Sequence, residues 1–124
     1  MEAEKFIIEN EYVQSDSFVE IINPYTNKVV KKVYKTTKEQ INTSLNYLSS
    51  VFHKFKLLPA YSRGELLEKI STKIRERREE FARLITLETG KPIKFSFAEM
   101  DRAIFTFKTG AEEAKRIEGE IIPL

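Results

Sequence analysis

A nucleophile activated by a neighbouring base requires Ser, Thr or Cys within reach of an imidazole or a carboxylate. The sequence holds one histidine, His53, and no cysteine. His53 falls beside an apolar stripe, between Phe52 and Phe55, with no residue at a spacing that would orient it. A helix-surface or core-edge histidine is the expectation, and a lone imidazole equally fails to make a conventional zinc site. The absence of cysteine removes disulfides, thiolate metal ligands and a cysteine nucleophile from these residues. Thr89-Gly90-Lys91 carries the Gly-Lys pair of a phosphate loop. The earlier glycine of such a loop is missing and the preceding pattern is helical, so a helix C-cap is the simpler reading. The carboxylate pairs Glu79-Glu80 and Glu112-Glu113 are adjacent on helical segments, where neighbouring side chains diverge instead of facing one substrate. No catalytic, cofactor-binding or metal-binding residue is therefore expected in this chain.

The elements behind these residues fall into two classes. The first 35 residues read as β. Phe6-Ile7-Ile8 and Tyr12-Val13 flank Glu9-Asn10-Glu11, where Asn10 can take the left-handed conformation of a tight hairpin. Phe18-Val19-Glu20-Ile21-Ile22 is a β-branched run closed by Asn23-Pro24, and Val29 to Tyr34 resumes it. Residues Asn23 to Lys28 then form a turn, with Pro24 fixing one backbone angle and Asn27 a candidate for positive φ. From Thr36 the period becomes helical. Thr36-Thr37-Lys38-Glu39 reads as a capping box in front of Ile41, Leu45, Leu48, Phe52 and Phe55. Pro59 interrupts this helix, and Ser62-Arg63-Gly64-Glu65 offers a second capping box, placing the next helix start near Arg63. That helix carries Leu66, Leu67, Ile70 and Ile74, and either runs on or restarts near Arg78, through Phe81, Leu84 and Ile85 to the stop at Gly90 and Pro92. A last helix carries Phe97, Met100, Ile104, Phe107, Ala111, Ala114 and Ile117 and ends at Gly119. Phe95, Phe97, Phe105 and Phe107 cannot all enter one small core, which leaves apolar surface for packing on something else.

Composition bounds the class. Apolar residues make up 41% and charged residues 32% of 124 residues, with 21 basic and 19 acidic side chains and a net charge of +2. The balance is globular rather than disordered, and the mixed signs argue against a nucleic-acid partner. The basic run Lys73 to Arg78 leads into Glu79-Glu80, as on a solvated helix face. No apolar run approaches the roughly 20 residues of a membrane span, and the acidic start Met1-Glu2-Ala3-Glu4 does not read as a signal peptide. A soluble, cytoplasmic protein with no membrane partner is the default expectation.

Strands followed by helices, with these turns at these spacings, resemble the beginning of the aldehyde dehydrogenase superfamily. Phe6 to Val13 looks like the family's opening hairpin, with Asn10 where glycine is common and Tyr12 where tryptophan is common. Ile21-Ile22-Asn23-Pro24-Tyr25-Thr26 matches its Asn-Pro-x-Thr turn, and Asn27-Lys28 stands in for the usual Gly-Glu. Leu58-Pro59 to Arg63, then Leu87-Glu88-Thr89-Gly90-Lys91-Pro92, are similar to its first helical region, and Gly119-Glu120-Ile121-Ile122-Pro123 to the stretch entering the cofactor-binding sheet.

The resemblance implies an α+β segment, antiparallel strands (1–35) followed by three to four amphipathic helices (36–119) and an extended end (120–124). It implies that residues 1–124 are one segment, the N-terminal part of an α/β NAD(P)-binding domain. It further implies an enzyme that oxidises an aldehyde to a carboxylic acid with NAD or NADP. The nucleophilic cysteine, the water-activating glutamate and the phosphate-contacting glycines of that family lie downstream of the matched region. Asn23, Pro24, Arg63, Glu88, Gly90 and Lys91 carry over only as structural anchors. The implied partners are the remaining cofactor-binding and catalytic domains and further copies in a homo-oligomer. The competing expectation is a stand-alone interaction module, or one chain of a split dehydrogenase.

Overall fold

The computed structural model describes residues 2–119 and 122. Its elements run β1 (Phe6–Ile8), β2 (Glu11–Val13), β3 (Phe18–Ile22), β4 (Val29–Tyr34), α1 (Lys38–Phe55), α2 (Ala60–Glu76), α3 (Arg78–Thr89) and α4 (Ile93–Ala114). They divide into two units, residues 1–57 with 86–90 and residues 58–85 with 91–124.

In the first unit each strand pair is an antiparallel hairpin and each hairpin is its own sheet. β1 and β2 are joined by Glu9 and Asn10, both at positive φ (53° and 67°), as a two-residue type I′ loop requires. The register pairs Phe6 with Val13 and Ile7 with Tyr12. Period-two alternation then puts Phe6, Ile8 and Val13 on a half-buried face and Ile7 with Tyr12 on an exposed one. β3 and β4 pair from Phe18 and Tyr34 inward, with an irregularity between Ile21 and Ile22 that leaves Val30 as the extra residue. Glu4, outside the named strands, extends this sheet. Its N–H donates to the Lys32 carbonyl (2.7 Å) and its carbonyl accepts from Tyr34 (3.1 Å).

The first helix starts one residue later than the sequence suggests. Its N-cap is Thr37, not Thr36: Thr37 Oγ1 accepts from the Gln40 N–H (3.2 Å) and Gln40 Oε1 accepts from the Thr37 N–H (2.8 Å). Gln40 also donates through Nε2 to the Gln14 carbonyl (3.1 Å), a bond that Glu39 could not donate. Glu39 is left in the first turn, where its own backbone N–H and the Thr37 side chain hold its carboxyl below the usual value.

The second unit is built on α2 and α4. Gly64 faces Ala111 and Lys115, and Ser71 Oγ donates to the Ile104 carbonyl at 2.9 Å, so the start of α2 lies against the end of α4 and the helices are antiparallel. Small residues on α2 permit this approach. A Cβ built on Gly64 would stand 2.9 Å from the Ala111 carbonyl oxygen and 2.7 Å from Lys115 Cε. Met100, Ile104, Ala111 and Ala114 of α4 and Ala82 of α3 are buried here, on the spacing that marked the last helix in the sequence. Arg78, at the head of α3, closes a bidentate pair with Asp101 (2.6 and 2.7 Å) and lies over the Phe97 ring, 4.5 Å from its centroid. The Arg78 guanidinium holds the Asp101 carboxyl below the usual aspartate value.

Two further boundaries differ from expectation, and the one left open near Arg78 is a break. α2 begins at Ala60, before the proposed capping box: Pro59 leads in with no side-chain cap, and the Arg63 N–H reaches back to the Pro59 carbonyl (3.2 Å). Proline needs no N–H at a helix start, so Ser62 is spared that task and sits inside the first turn. α2 and α3 do break, at Arg77 (φ −105°, ψ 18°). α4 stops at Ala114, not Gly119, because Lys115 and Arg116 turn to the carbonyls three residues back, and Ile117 is left exposed. The extended end placed at 120–124 lies outside the described residues apart from Ile122. No helix among the described residues is long and apolar enough to cross a membrane.

Two outcomes follow from the helix pair. An exposed helical glycine gains about 1 kcal/mol on becoming alanine, whereas Gly64→Ala must displace the Ala111 carbonyl, so thermal unfolding followed by circular dichroism should show a lower Tm. A carboxyl with a depressed folded-state pKa stabilises above its unfolded value and loses that contribution as pH falls through the folded one. Asp101→Asn should therefore lower Tm slightly at neutral pH, and the difference from the parent should shrink as pH drops below aspartate's ordinary 3.8.

Candidate functional site

Three of the residues singled out as anchors, Asn23, Pro24 and Gly90, meet in the first unit around one amide. Asn23 is buried, 8% exposed, although it occupies a turn. Its Oδ1 accepts the backbone N–H groups of Tyr25 and Thr26, both at 2.9 Å, and its Nδ2 donates to the Leu87 carbonyl at 2.8 Å. Its backbone closes the same turn, accepting from the Asn27 N–H (2.8 Å) and donating to the Lys28 carbonyl (2.9 Å). Asn27 takes the positive φ (53°) that the turn requires. The Asn23 bond to Leu87 lands on one of the last carbonyls of α3, which have no partner inside the helix.

Gly90 completes the junction. It ends α3 at φ +70°, with its N–H on the Thr86 carbonyl (2.9 Å), the left-handed cap read from Thr89-Gly90-Lys91. A Cβ there would stand 2.8 Å from Pro24 Cγ, so Gly90 answers a conformational and a steric demand at once. Asn23, Pro24 and Gly90 are thus one clamp. The other three anchors have separate tasks. Lys91 pairs with Glu99, whose carboxyl that bond holds below the usual value; Arg63 sits half-buried in the first turn of α2, and Glu88 is exposed on α3.

The residues first considered for chemistry lie apart from one another. His53 is exposed on α1, edge-on to Phe52. Glu79 and Glu80 diverge as expected, to Arg83 and Arg77 respectively, and Glu113 turns to Arg116. Arg78 leaves the basic run for Asp101. Among the described residues no group of three or more His, Cys, Asp or Glu could hold a metal ion. A groove of about 350 Å³ in the second unit is lined by Lys69, Ile70, Lys73, Ile74, Arg77 and Phe81. Its floor is apolar, and of the cations lining it Lys73 is paired with Glu76 and Arg77 with Glu80.

A dinucleotide needs glycines whose missing side chains leave room for phosphate. Gly64 has its Cβ space filled by Ala111 and Lys115 and Gly90 by Pro24, whereas Gly110 only touches Leu67 and Gly119 has open space around it. Gly64 and Gly90 therefore leave no room for phosphate. Sequence reasoning missed Gln40, which joins α1 to the strand region, and Ser71, whose hydroxyl joins two helices. For Ser71 a signal existed: it stands four residues after Leu67 and three before Ile74, in phase with the apolar stripe.

The backbone of this chain recurs in known proteins. Residues 12–124 match the model of the aldehyde dehydrogenase family. Lactaldehyde dehydrogenase of Methanocaldococcus jannaschii is 33% identical over 105 residues, 85% of this chain and 23% of that protein. The 3-sulfolactaldehyde dehydrogenase of Priestia aryabhattai is 32% identical over 117 residues, 94% of this chain and 24% of that protein. Among solved structures, betaine aldehyde dehydrogenase of Staphylococcus aureus in complex with NAD+ superimposes with a TM-score of 0.92 at 34% identity, over 98% of this chain and 25% of its own. Aldehyde dehydrogenase 21 of Physcomitrella patens, in complex with the product succinate, gives 0.93 at 35% identity, over 98% and 26%. The chain thus spans about a quarter of the length of these relatives. With a family match over all but its first eleven residues and the same backbone as solved members, the chain belongs to the aldehyde dehydrogenase family.

Proposed function

We propose that the chain is the N-terminal scaffold of an NAD(P)-dependent enzyme that oxidises an aldehyde to a carboxylic acid. The observation that carries this reading is the superposition of 98% of the chain on one quarter of an NAD+-bound family member. The chain contributes outer strands and covering helices to a cofactor-binding domain. No described side chain is assigned to aldehyde or dinucleotide; the sequence has no cysteine, and the Cβ spaces of Gly64 and Gly90 are taken by protein atoms. The cofactor, when bound, accepts hydride from the substrate; the residues here hold backbone in place around other residues that do the chemistry. The partners are the remaining cofactor-binding and catalytic domains, in a homo-oligomer, and the compartment is the cytoplasm. Nothing among the relatives supports a stand-alone interaction module.

Two measurements test this. The purified 124-residue chain, given an aldehyde with NAD or NADP, should produce no reduced nicotinamide by absorbance; turnover would refute the scaffold reading. Joining the chain to the remaining three quarters of the M. jannaschii enzyme, in place of that enzyme's own first quarter, should give a chimera that oxidises lactaldehyde, and an inactive chimera counts against the assignment.

The clamp should act on stability alone. Asn23→Ala strands two N–H groups and a carbonyl in a buried position, a cost of about 2–3 kcal/mol, and Gly90→Ala adds left-handed strain of about 1–2 kcal/mol to its clash with Pro24. In the chimera both should lower Tm while KM for NAD stays within about twofold, since unchanged binding energy leaves KM alone. A raised KM at unchanged Tm would show instead that the clamp touches the cofactor site.

A further inference from the structure

α1 differs from the other helices in what it leaves uncovered. It buries none of its residues, yet its apolar side chains form one seam: Ile41, Leu45, Leu48, Phe52 and Phe55, spaced 4, 3, 4 and 3. That mean spacing of 3.5 is the spacing of a helix face that packs along its whole length. Leu45, Leu48 and Phe52 are 58%, 60% and 59% exposed. The seam is continuous with the hairpin, because Tyr47 and Leu48 line a shallow groove with Ile7, Ile8 and Asn10.

From Gln40 to Phe52 there is no charged residue, and the side away from the seam carries Thr43, Asn46 and Ser50. α2 and α3, with Glu65, Glu68, Lys69, Lys73, Glu79 and Arg83, show how this chain builds a solvated face. The positions flanking the seam, Asn42, Ser44, Ser49 and Val51, offer no charge to select an acidic or basic partner. An uncharged apolar seam suits a permanent interface that resembles a domain core more than a dissociable one.

Resting on the function proposed above, we infer that the α1 seam and the adjoining exposed edge of the β1–β2 hairpin are covered by the remaining three quarters of the dehydrogenase polypeptide. The chain has the backbone of one quarter of a solved family member, with a TM-score of 0.92, and the other three quarters of such a fold are the surface at hand to cover the seam. The seam is therefore the docking line between this segment and the rest of its enzyme, and neither a ligand site nor a contact between two such segments.

The test is a change of sign between two contexts. In the isolated 124-residue chain, Leu48→Lys and Leu45→Lys should leave Tm unchanged or raised, reduce hydrophobic-dye binding and leave a monomer a monomer by light scattering. In the active M. jannaschii chimera the same substitutions should bury an unpaired charge, lowering Tm by roughly 5 °C or more and abolishing most activity. Ser50→Lys, on the opposite side of α1, should be milder in both. A chimera that is active and indifferent to lysine at positions 45 and 48 overturns the inference while the function stands. An isolated chain that dimerises and is split by Leu48→Lys, with an indifferent chimera, assigns the seam to a second copy and overturns it as well. An inactive, unassembled parent chimera refutes the function itself, and the inference falls with it.

Discussion

Asn23 satisfies groups from two parts of the chain that are far apart in sequence. Its carbonyl oxygen takes up the two N–H groups that a tight turn leaves free, and its amide nitrogen takes up a carbonyl at the end of α3. Both sets are otherwise unpaired, and a buried unpaired group costs more than a single hydrogen bond is worth. Aspartate could serve the turn but has no donor for Leu87, and serine is too short for both. The clamp thus restricts this position to asparagine on physical grounds. It also accounts for the neighbours: Pro24 stiffens the turn and fills the space opposite Gly90, and Gly90 can end the helix there because nothing larger would fit against the proline.

The helix pair of the second unit solves a different problem with the same economy of side chains. α2 and α4 approach closely enough that a glycine and a serine occupy positions where leucine would ordinarily stand. Close approach brings a helix carbonyl within reach of the Ser71 hydroxyl, which needs a partner once buried. The core is accordingly made of small and flexible residues, Ala82, Ala111, Ala114 and Met100, with Ile104 between them. Arg78 caps the arrangement by covering the Phe97 ring while its guanidinium is held by Asp101, and Phe97 is half-buried. Phe107 is half-buried, whereas Phe95 and Phe105 remain exposed, as the excess of aromatics in the sequence demanded.

What could be read from the sequence was whatever depends on neighbours along the chain. The hairpin at Asn10, the turn at Asn23-Pro24, the stop at Gly90 and the stripe of α4 as far as Ala114 all rest on local backbone preference or on period. What could not be read depends on atoms far away in sequence. The N-cap moved from Thr36 to Thr37 because Gln40 also finds the Gln14 carbonyl, a contact with no local signature. Ser62 lost its capping task to Pro59, two compatible local signals of which only one could be used. α4 lost its last turn where Lys115 and Arg116 turn to carbonyls three residues back, and Ile117 stays exposed. The clamp residues were legible as anchors through the family resemblance, while the hydrogen bond that makes Asn23 necessary was visible only with Leu87 beside it.

These features divide the chain by the kind of interaction it completes for itself. Backbone and polar groups are closed internally: the turn, the helix end, the buried serine and the N-cap each find partners, and among the described residues no buried side-chain nitrogen or oxygen lacks one. Apolar surface is not closed to the same degree, since α1 buries nothing and Ile7 and Tyr12 face outward. The two differ in what they tolerate during folding. An unpaired buried polar group must be satisfied wherever it is buried, whereas apolar area can wait for a later surface, because its gain is non-directional and proportional to area. A segment that folds ahead of the elements it will cover has reason to settle its hydrogen bonds first and leave its apolar faces open. That is the division found here, and it is the one expected of the first quarter of a larger dehydrogenase fold.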